Sequence, residues 1–150
     1  MHIVFVRHGE RRKGETDPEL TSAGRRMAVE TGRWIVSCDL TPTKMITTAT
    51  RRTQQTVAEL QYAFGQTIQS QLMTVPDTSE SWSNFVSDLY NDNGPDGVIV
   101  VVGHHPTTAL LKRIYGPLPS PIPIINYASA VVLTHDAGVW RCSSCWAGRP

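Results

Sequence analysis

The sequence lacks the features that would place its 150 residues in a membrane or on a nucleic acid. No apolar run approaches the roughly 20 residues that a membrane-spanning helix requires. The opening MHIVFVRHG has only four consecutive apolar residues between His2 and Arg7 and no basic leader, so no signal peptide is expected. With 14 basic against 13 acidic residues, the net charge of +1 gives no electrostatic reason to bind nucleic acid or an anionic membrane.

Cysteine is scarce as well. The chain has three, at Cys38, Cys142 and Cys145. An odd number without a secretion signal predicts reduced thiols and a cytoplasmic protein. The CSSC spacing is compatible with a metal or redox pair, but a second pair is missing. The sequence therefore leaves the role of Cys142 and Cys145 open.

What is present is ordinary for a globular protein, with 40% hydrophobic and 18% charged residues. The length predicts one domain over residues 1–150 with a single core. Two segments, His2–Val6 and Gly97–Gly103, are almost continuously apolar and β-branched. Such runs are typical of parallel strands that are covered on both faces.

Weaker strands and helices alternate with these two segments. Further strands are predicted at Lys44–Thr47 and Gln69–Thr74. Helical spacing predicts four helices, at Leu20–Ser37, Thr50–Gly65, Asp77–Tyr90 and His105–Gly116. In the first helix Thr21 is the expected cap. The face of that helix expected to be buried carries Met27, Thr31, Trp34, Ile35 and Cys38.

The sequence pattern near the end of the chain indicates a loop and a hairpin, in contrast to the alternating strands and helices before it. Ala128–His135 and Val139–Trp146 flank the turn residues DAG and indicate a hairpin at the sheet edge. The proline-rich segment Gly116–Asn126 is expected to be a surface loop. Together these patterns predict an α/β fold: a three-layer α/β/α sandwich with a mostly parallel central sheet and a C-terminal edge hairpin.

Both buried strands end in histidine, as VFVRHG and VVVGHH. Neighbouring parallel strands end on one edge of a sheet, where open α/β sheets bind ligands, so His8 and His104 are expected to lie close together. Arg52 begins a helix after a third strand, and Arg7 and Arg11 flank His8. Like charges repel at short range unless an anion lies among them. These residues therefore predict an anion pocket, and phosphate best suits the guanidinium fork.

Four ordered segments carry a family resemblance: VRHGE, LTSAGRRMA, TRRTQQTVAEL and VVVGHHPTTALL. Their order and spacing resemble the histidine phosphatase superfamily, which also includes phosphoglycerate mutases. Together with the short length, they most resemble its small SixA-like phosphohistidine phosphatases. The resemblance implies a phosphatase that needs no metal or other cofactor. Its partner would be a phosphorylated protein or a small phosphorylated metabolite.

The resemblance also implies roles for individual residues. His8 would be the nucleophile that takes up the phosphoryl group, and Arg7, Arg52 and His104 would bind its oxygens. Arg11 would also contact phosphate, and Gly9 would let backbone and ligand approach closely. Arg52 fits the family pattern better than its neighbour Arg51, which is expected to be a solvated helix residue. His105 is not expected to share the pocket, because adjacent side chains diverge.

A nucleophilic imidazole must be neutral, and the cations around His8 are expected to disfavour its protonated form. The leaving oxygen of a phosphomonoester still needs a proton, and Glu80 is the nearest candidate for the acid that follows the third strand in the family. Asp77 and Glu10 are its alternatives. Asp77 and Glu80 are also compatible with a plain helix-capping pair. A phosphohistidine substrate has a better leaving group and need not use an acid.

Two other functions remain open on the sequence. A phosphoglycerate-type mutase is disfavoured because 150 residues leave little room to enclose a sugar phosphate. A phosphate-binding regulatory module without catalysis is favoured by the lack of a clear acid motif. Thr48 and Ala49 depart from the Ser-Pro that is common before the second-helix arginine in the family, which affects substrate orientation more than the reaction. The physiological substrate and the oligomeric state are not determined by the sequence.

Overall fold

A six-stranded sheet organises the described part of the chain. The computed structural model describes residues 1–76, 78–115 and 126–148. These residues form six strands and four helices, in chain order β1 (His2–Arg7), α1 (Ser22–Ser37), β2 (Lys44–Thr47), α2 (Arg51–Phe64), β3 (Ser70–Leu72), α3 (Ser79–Asn93), β4 (Val98–Gly103), α4 (His105–Tyr115), β5 (Ala130–Asp136) and β6 (Val139–Trp146).

The strands lie in the order β3-β2-β4-β1-β5-β6. The first four are parallel, whereas β5 runs antiparallel to β1 and β6 antiparallel to β5. Ala137 and Gly138, with φ of 49° and 80°, make the two-residue turn between β5 and β6. Positive φ at both turn residues is the conformation that tight hairpins favour. The predicted mostly parallel sheet with an edge hairpin is therefore confirmed.

Helices cover both faces of the sheet, as the apolar strands predicted. Ile3 and Phe5 of β1 pack in one core cluster with residues of α3 and α4. Val4 and Val6 pack in a second cluster with residues of α1 and α2. Successive residues of a strand point to opposite faces, so a strand between two helical layers is apolar at every position. The predicted three-layer α/β/α sandwich is confirmed.

Helix α1 buries only part of the face that its apolar residues predicted, since Thr31 and Ile35 are buried as expected. Thr21 is the cap, as expected, and its side chain accepts a hydrogen bond from Gly24 N. The buried residues are mostly small: Gly24, Ala28, Thr31, Gly32 and Ile35. A Cβ on Gly32 would lie 2.5 Å from Cβ of Ala63 in α2. Close packing of the two helices thus buries the small face, and Met27, Trp34 and Cys38 stay only partly buried.

Two other segments complete the comparison with the sequence. The strand expected at Gln69–Thr74 is only three residues long, Ser70–Leu72, and is exposed at the sheet edge. Most of the expected proline-rich loop, residues 116–125, lies outside the described residues. Within the described ranges, no helix is both long enough and apolar enough to cross a membrane.

Candidate active site

The ends of β1 and β4 bring the two predicted histidines together. Arg7 is paired with Gly103 in the parallel register, and the backbone N–H of His8 donates to the carbonyl of Gly103 over 3.0 Å. The imidazole rings of His8 and His104 have centroids 5.4 Å apart, with 64° between their planes. Two residues separated by 96 positions in the sequence therefore face one point at the carboxyl edge of the sheet.

Arg52 lies between these two imidazoles. It is the second residue of α2, which follows β2. Its Nε–H donates to Nε2 of His8 over 3.3 Å, and its Nη2 lies 3.4 Å from Nδ1 of His104. One planar guanidinium thus contacts both rings. We call Arg7, His8, Arg52 and His104 the His–Arg cluster.

The hydrogen bonds of His8 decide which ring nitrogen is available. Nδ1 lies 2.8 Å from the carbonyl oxygen of Gly9. A carbonyl oxygen only accepts, so Nδ1 of the neutral ring carries the proton and Nε2 carries the lone pair. Nε2 is also the atom that faces Arg52. A neutral His8 therefore presents an unprotonated nitrogen to the centre of the cluster.

Burial, more than the neighbouring cations, keeps His8 neutral. The pKa of His8 is lowered to about 3, chiefly because its burial penalises the imidazolium. The hydrogen bond to Gly9 opposes this shift, while Arg52, His104 and Arg7 add to it. The pKa of His104 is lowered for the same reasons, burial first and then Arg52 and Arg7. The sequence predicted the cationic contribution, but desolvation depends on the folded core and is the larger cause.

Arg7 and Arg11 bring further positive charge to the cluster. The guanidinium carbon of Arg7 lies 4.3 Å from the centroid of the Tyr127 ring. Burial lowers the pKa of Arg7, the phenol of Tyr127 opposes that change, and the charge of Arg11 adds to it. Burial also lowers the pKa of Arg52, and Arg11 again adds to the effect. Arg11 thus acts electrostatically on both arginines, and the three guanidinium groups form one positive region.

Gly9 is required by packing. A Cβ at this position would lie 2.5 Å from the carbonyl oxygen of Gly24 in α1, which is closer than real Cβ contacts come. The backbone N–H of Gly9 donates to Oγ1 of Thr56 in α2 over 3.0 Å. The sequence indicated that Gly9 would allow a ligand to approach, whereas the atom that approaches it is helix backbone. This packing fixes the turn that carries His8.

Comparisons with known proteins show what the sequence and the fold resemble. Residues 3–73 match the family model described as histidine phosphatase superfamily (branch 1). Over this segment, 71 of the 150 residues, the chain is similar to the histidine phosphatase superfamily, as the sequence motifs indicated. No curated protein matches the sequence.

Solved structures share the fold of this chain at low sequence identity. The protein histidine phosphatase SixA complexed with tungstate has a TM-score of 0.79 and 17% identity, over 97% of this chain and 96% of that chain. The putative phosphohistidine phosphatase SixA from Agrobacterium tumefaciens has a TM-score of 0.74 and 21% identity, over 97% of each chain. A mycobacterial glucosyl-3-phosphoglycerate phosphatase complexed with VO3 has a TM-score of 0.64 and 19% identity, over 99% of each chain.

Two of the three candidate acids, Glu80 and Glu10, lie within the described residues and have different surroundings. Glu80 is exposed in the first turn of α3, and the cap of that helix is Thr78. Asp77 lies outside the described residues. The carboxylate of Glu10 accepts a hydrogen bond from Oγ1 of Thr21 over 2.8 Å, at the start of α1. Glu10 thus has a structural contact, whereas the side chain of Glu80 is exposed to solvent.

The segment between β3 and α3 approaches the end of β4 at Val75. Val75, between β3 and α3, would lie 3.8 Å from a Cβ built on Gly103, the residue before His104. The start of α3 therefore follows a segment that passes next to the end of β4.

Arg51 and Arg52, the first two residues of α2, have different neighbours. Arg51 is exposed, forms an ion pair with Glu19, and donates its backbone N–H to Asp17 over 3.1 Å. The side chain of Arg52 is 21% exposed and lies 4.0 Å from the Asp17 carboxylate. As the sequence predicted, Arg51 faces solvent and Arg52 faces the histidines.

Three residues at the site were not assigned to it from the sequence. Thr48 Oγ1 lies 3.0 Å from Nε2 of His104, at a position noted only as a departure from the family pattern. The Tyr127 ring lies 5.8 Å from the ring of His8, and no motif surrounds Tyr127 in the sequence. His105 was considered for the pocket but not favoured, because adjacent side chains diverge. It lines a cleft of about 590 Å³ with five other residues: Arg7, Met27, Asn126, Tyr127 and Gly148.

The two cysteines of β6 are separate from this chemistry. Cys142 and Cys145 pack against the core cluster of α3 and α4. Burial, followed by the neighbouring Cys145, raises the pKa of the Cys142 thiol to about 11. A thiol that stays protonated at neutral pH is a poor nucleophile and a poor metal ligand. Among the described residues no group of three or more His, Cys, Asp or Glu side chains is arranged to hold a metal ion.

Proposed function

We propose that this protein hydrolyses phosphomonoesters or phosphohistidine, without a metal, through a covalent phosphohistidine on His8. The proposal treats residues 1–150 as one histidine phosphatase-like domain. Arg7, Arg11, Arg52 and His104 bind the phosphoryl oxygens, and Glu80 is the proposed general acid. Guanidinium and imidazole groups supply the positive charge that a metal ion supplies in other phosphatases.

The observation that carries the proposal is the contact of one guanidinium with two imidazoles. Arg52 meets Nε2 of His8 and Nδ1 of His104 at 3.3 and 3.4 Å. The guanidinium of Arg52 would attract an oxyanion to this position. Nε2 of His8, the proposed nucleophile, lies next to it. Preorganised donors of this kind stabilise charge on transferring phosphoryl oxygens without the cost of reorientation.

The reaction has two steps, each balanced by a proton transfer. The lone pair of His8 Nε2 forms a bond to phosphorus, and the bond to the leaving atom breaks with its electron pair. A leaving oxygen takes the proton of Glu80. Water then attacks phosphorus, gives a proton to the Glu80 carboxylate, and returns the N–P electron pair to Nε2. Covalent capture thereby divides one difficult transfer into two easier ones.

His104 changes its role when an anion binds. In the neutral ring, Nδ1 faces the guanidinium of Arg52, which only donates, so Nε2 carries the proton and donates to Thr48. A phosphate dianion at Nδ1 favours the imidazolium, which raises the pKa of His104 from its lowered value. The protonated Nδ1 then donates to a phosphoryl oxygen. Thr48 keeps the ring in the orientation that this requires.

The comparisons support both substrate classes in the proposal. SixA is called a protein histidine phosphatase and was complexed with tungstate, a phosphate-like oxyanion. The mycobacterial relative in fold is a glucosyl-3-phosphoglycerate phosphatase complexed with VO3, another such oxyanion. A panel of test substrates should therefore include a phosphorylated histidine-containing domain as well as small phosphorylated metabolites.

The test is hydrolysis of p-nitrophenyl phosphate in EDTA by wild type, His8→Ala and a matched control. His135 is the control because its backbone N–H bonds to Met1 O, at the sheet edge opposite His8. We expect turnover by wild type and His135→Ala and none by His8→Ala. Equal activity of wild type and His8→Ala contradicts the nucleophile. Phosphate binding by wild type without turnover of any phosphosubstrate favours the non-catalytic module instead.

A further inference from the structure

Tyr127 belongs to a segment that is held rigidly against the end of β1. The backbone N–H of Ala128 donates to the carbonyl of His8 over 3.0 Å, and the N–H of Arg7 donates to the carbonyl of Ser129 over 2.9 Å. Oγ1 of Thr31, in α1, donates to the carbonyl of Ala128 over 2.7 Å. These bonds fix the backbone on the C-terminal side of Tyr127 to the same strand that carries Arg7 and His8.

The backbone of this segment adopts an unfavourable conformation. Ala128 is fully buried and has a φ of 55°, in the left-handed region that L-residues other than glycine rarely occupy. Such a conformation is costly for a residue other than glycine and persists only where the surroundings impose it. Here the three hydrogen bonds impose it, and they direct the side chain of Tyr127 toward the cluster.

The ring of Tyr127 meets the cluster at two points. Its centroid lies 4.3 Å from the guanidinium carbon of Arg7 and 5.8 Å from the centroid of the His8 ring. Tyr127 and Arg7 also line the cleft of about 590 Å³ together. A guanidinium over an aromatic face is attracted by the negative potential of that face. Arg7 is therefore held on one side by a ring that is itself fixed by the backbone.

We propose that Tyr127 is a positioning residue that holds the guanidinium of Arg7 in the orientation in which it binds an oxyanion. The inference rests on the proposed function, because it takes Arg7 as a phosphate-binding group. An arginine side chain loses considerable rotamer freedom when it is fixed, and a partner that fixes it in advance removes that cost from binding. The face of the Tyr127 ring attracts the guanidinium of Arg7 but carries no formal charge, so the positive charge of Arg7 is not neutralised.

The test is a double-mutant cycle read out by tungstate affinity in calorimetry, which does not depend on turnover. Tyr127→Leu should weaken binding by on the order of tenfold, the range of a partly desolvated cation–π contact. Tyr127→Phe, which keeps the ring, should stay within about threefold of wild type. In an Arg7→Ala background, Tyr127→Leu should cause no further loss, because its effect passes through Arg7.

Controls separate this role from a general effect on folding. Tyr62 is 74% exposed on α2, and Tyr62→Leu should leave tungstate affinity unchanged. If Tyr127→Leu is unfolded, the Nε–H proton of Arg7 gives an independent measurement by NMR. That signal, assigned by its loss in Arg7→Lys, should be shifted upfield by the ring in wild type and in Tyr127→Phe.

Four results overturn the inference: unchanged affinity in folded Tyr127→Leu, the same loss with and without Arg7, an unshifted Arg7 signal, or no tungstate binding by wild type. Failure of the proposed function has a different result. Wild type would bind tungstate and lose affinity in Tyr127→Leu, but would hydrolyse no phosphosubstrate.

Discussion

The His–Arg cluster and the start of α3 carry the two halves of the proposed reaction, and they are built differently. His8 is 5% exposed, and its ring is bonded to Gly9 and Arg52. Glu80 is exposed in the first turn of a helix whose cap is the adjacent Thr78. The cluster is preorganised by the sheet and by burial. The first turn of α3 is exposed to solvent.

The difference shows how one fold can keep its chemistry and vary its substrate. A phosphoryl group has the same size and charge in every substrate, so a rigid, buried site can match it. Leaving groups differ, and contacts with them belong on exposed helix starts and loops. His105, also exposed, lines the cleft beside Arg7.

The largest expected effect is on the cluster. Arg52→Ala removes the donor that contacts both histidines, and we expect kcat/KM to fall by about 10²–10³-fold. Its neighbour provides the matched control, because Arg51 is exposed and paired with Glu19. Arg51→Ala should change kcat/KM by less than about threefold, as expected for an exposed ion pair. Steady-state kinetics measure both, and similar losses in the two variants would contradict the assignment of Arg52.

A smaller effect, dependent on the substrate, is expected at the start of α3. If Glu80 protonates the leaving oxygen, Glu80→Gln should slow alkyl phosphate hydrolysis by about 10²-fold. With p-nitrophenyl phosphate, whose leaving group needs no acid, the loss should stay below about tenfold.

The control for Glu80 lies on the same helix. Asp88 is exposed in α3, and Asp88→Asn should leave both rates unchanged. Equal losses on the two substrates in Glu80→Gln would indicate a binding role for Glu80. No loss on either substrate would remove Glu80 from the mechanism.

The smallest expected effect is on stability, through the burial of His8. The folded protein holds the pKa of His8 near 3, against 6.5 for an unperturbed imidazole. Below pH 6.5, His8 is therefore protonated in the unfolded chain but stays neutral in the folded protein until the pH approaches 3. The contribution of His8 to the free energy of unfolding is fully present above pH 6.5 and is lost as the pH falls toward 3. Between pH 7.5 and 5.5 it should fall by about 1.4 kcal/mol.

Urea unfolding of wild type and His8→Asn over this pH range measures that contribution. Asparagine does not titrate, so the free energy of unfolding should vary less steeply with pH in the variant than in wild type. Carboxylates titrate in both proteins, so their effects cancel when the free energies of unfolding of the two proteins are subtracted. Parallel pH profiles would show that His8 has the same pKa in the folded and unfolded states, and that burial does not shift it.

Much of the fold could be predicted because its signals are local. The apolar runs of β1 and β4, the cap at Thr21 and the DAG turn each depend on a few adjacent residues. The stripe Trp82, Phe85, Val86 and Leu89 of α3 is buried as its spacing indicates. The rest of the buried face of α1 could not be found in this way, because it is set by the approach of α2 at Gly32.

The sequence by itself determined which strands are buried, that His8 and His104 follow two of them, and that arginines accompany the histidines. Tertiary structure alone decided that one guanidinium contacts both rings, that burial outweighs the cations in lowering the pKa of His8, and that Tyr127 packs against Arg7. The reason is physical: apolar patterns and caps act over a few adjacent residues. Desolvation and side-chain contacts depend on which distant segments the fold brings into the same space.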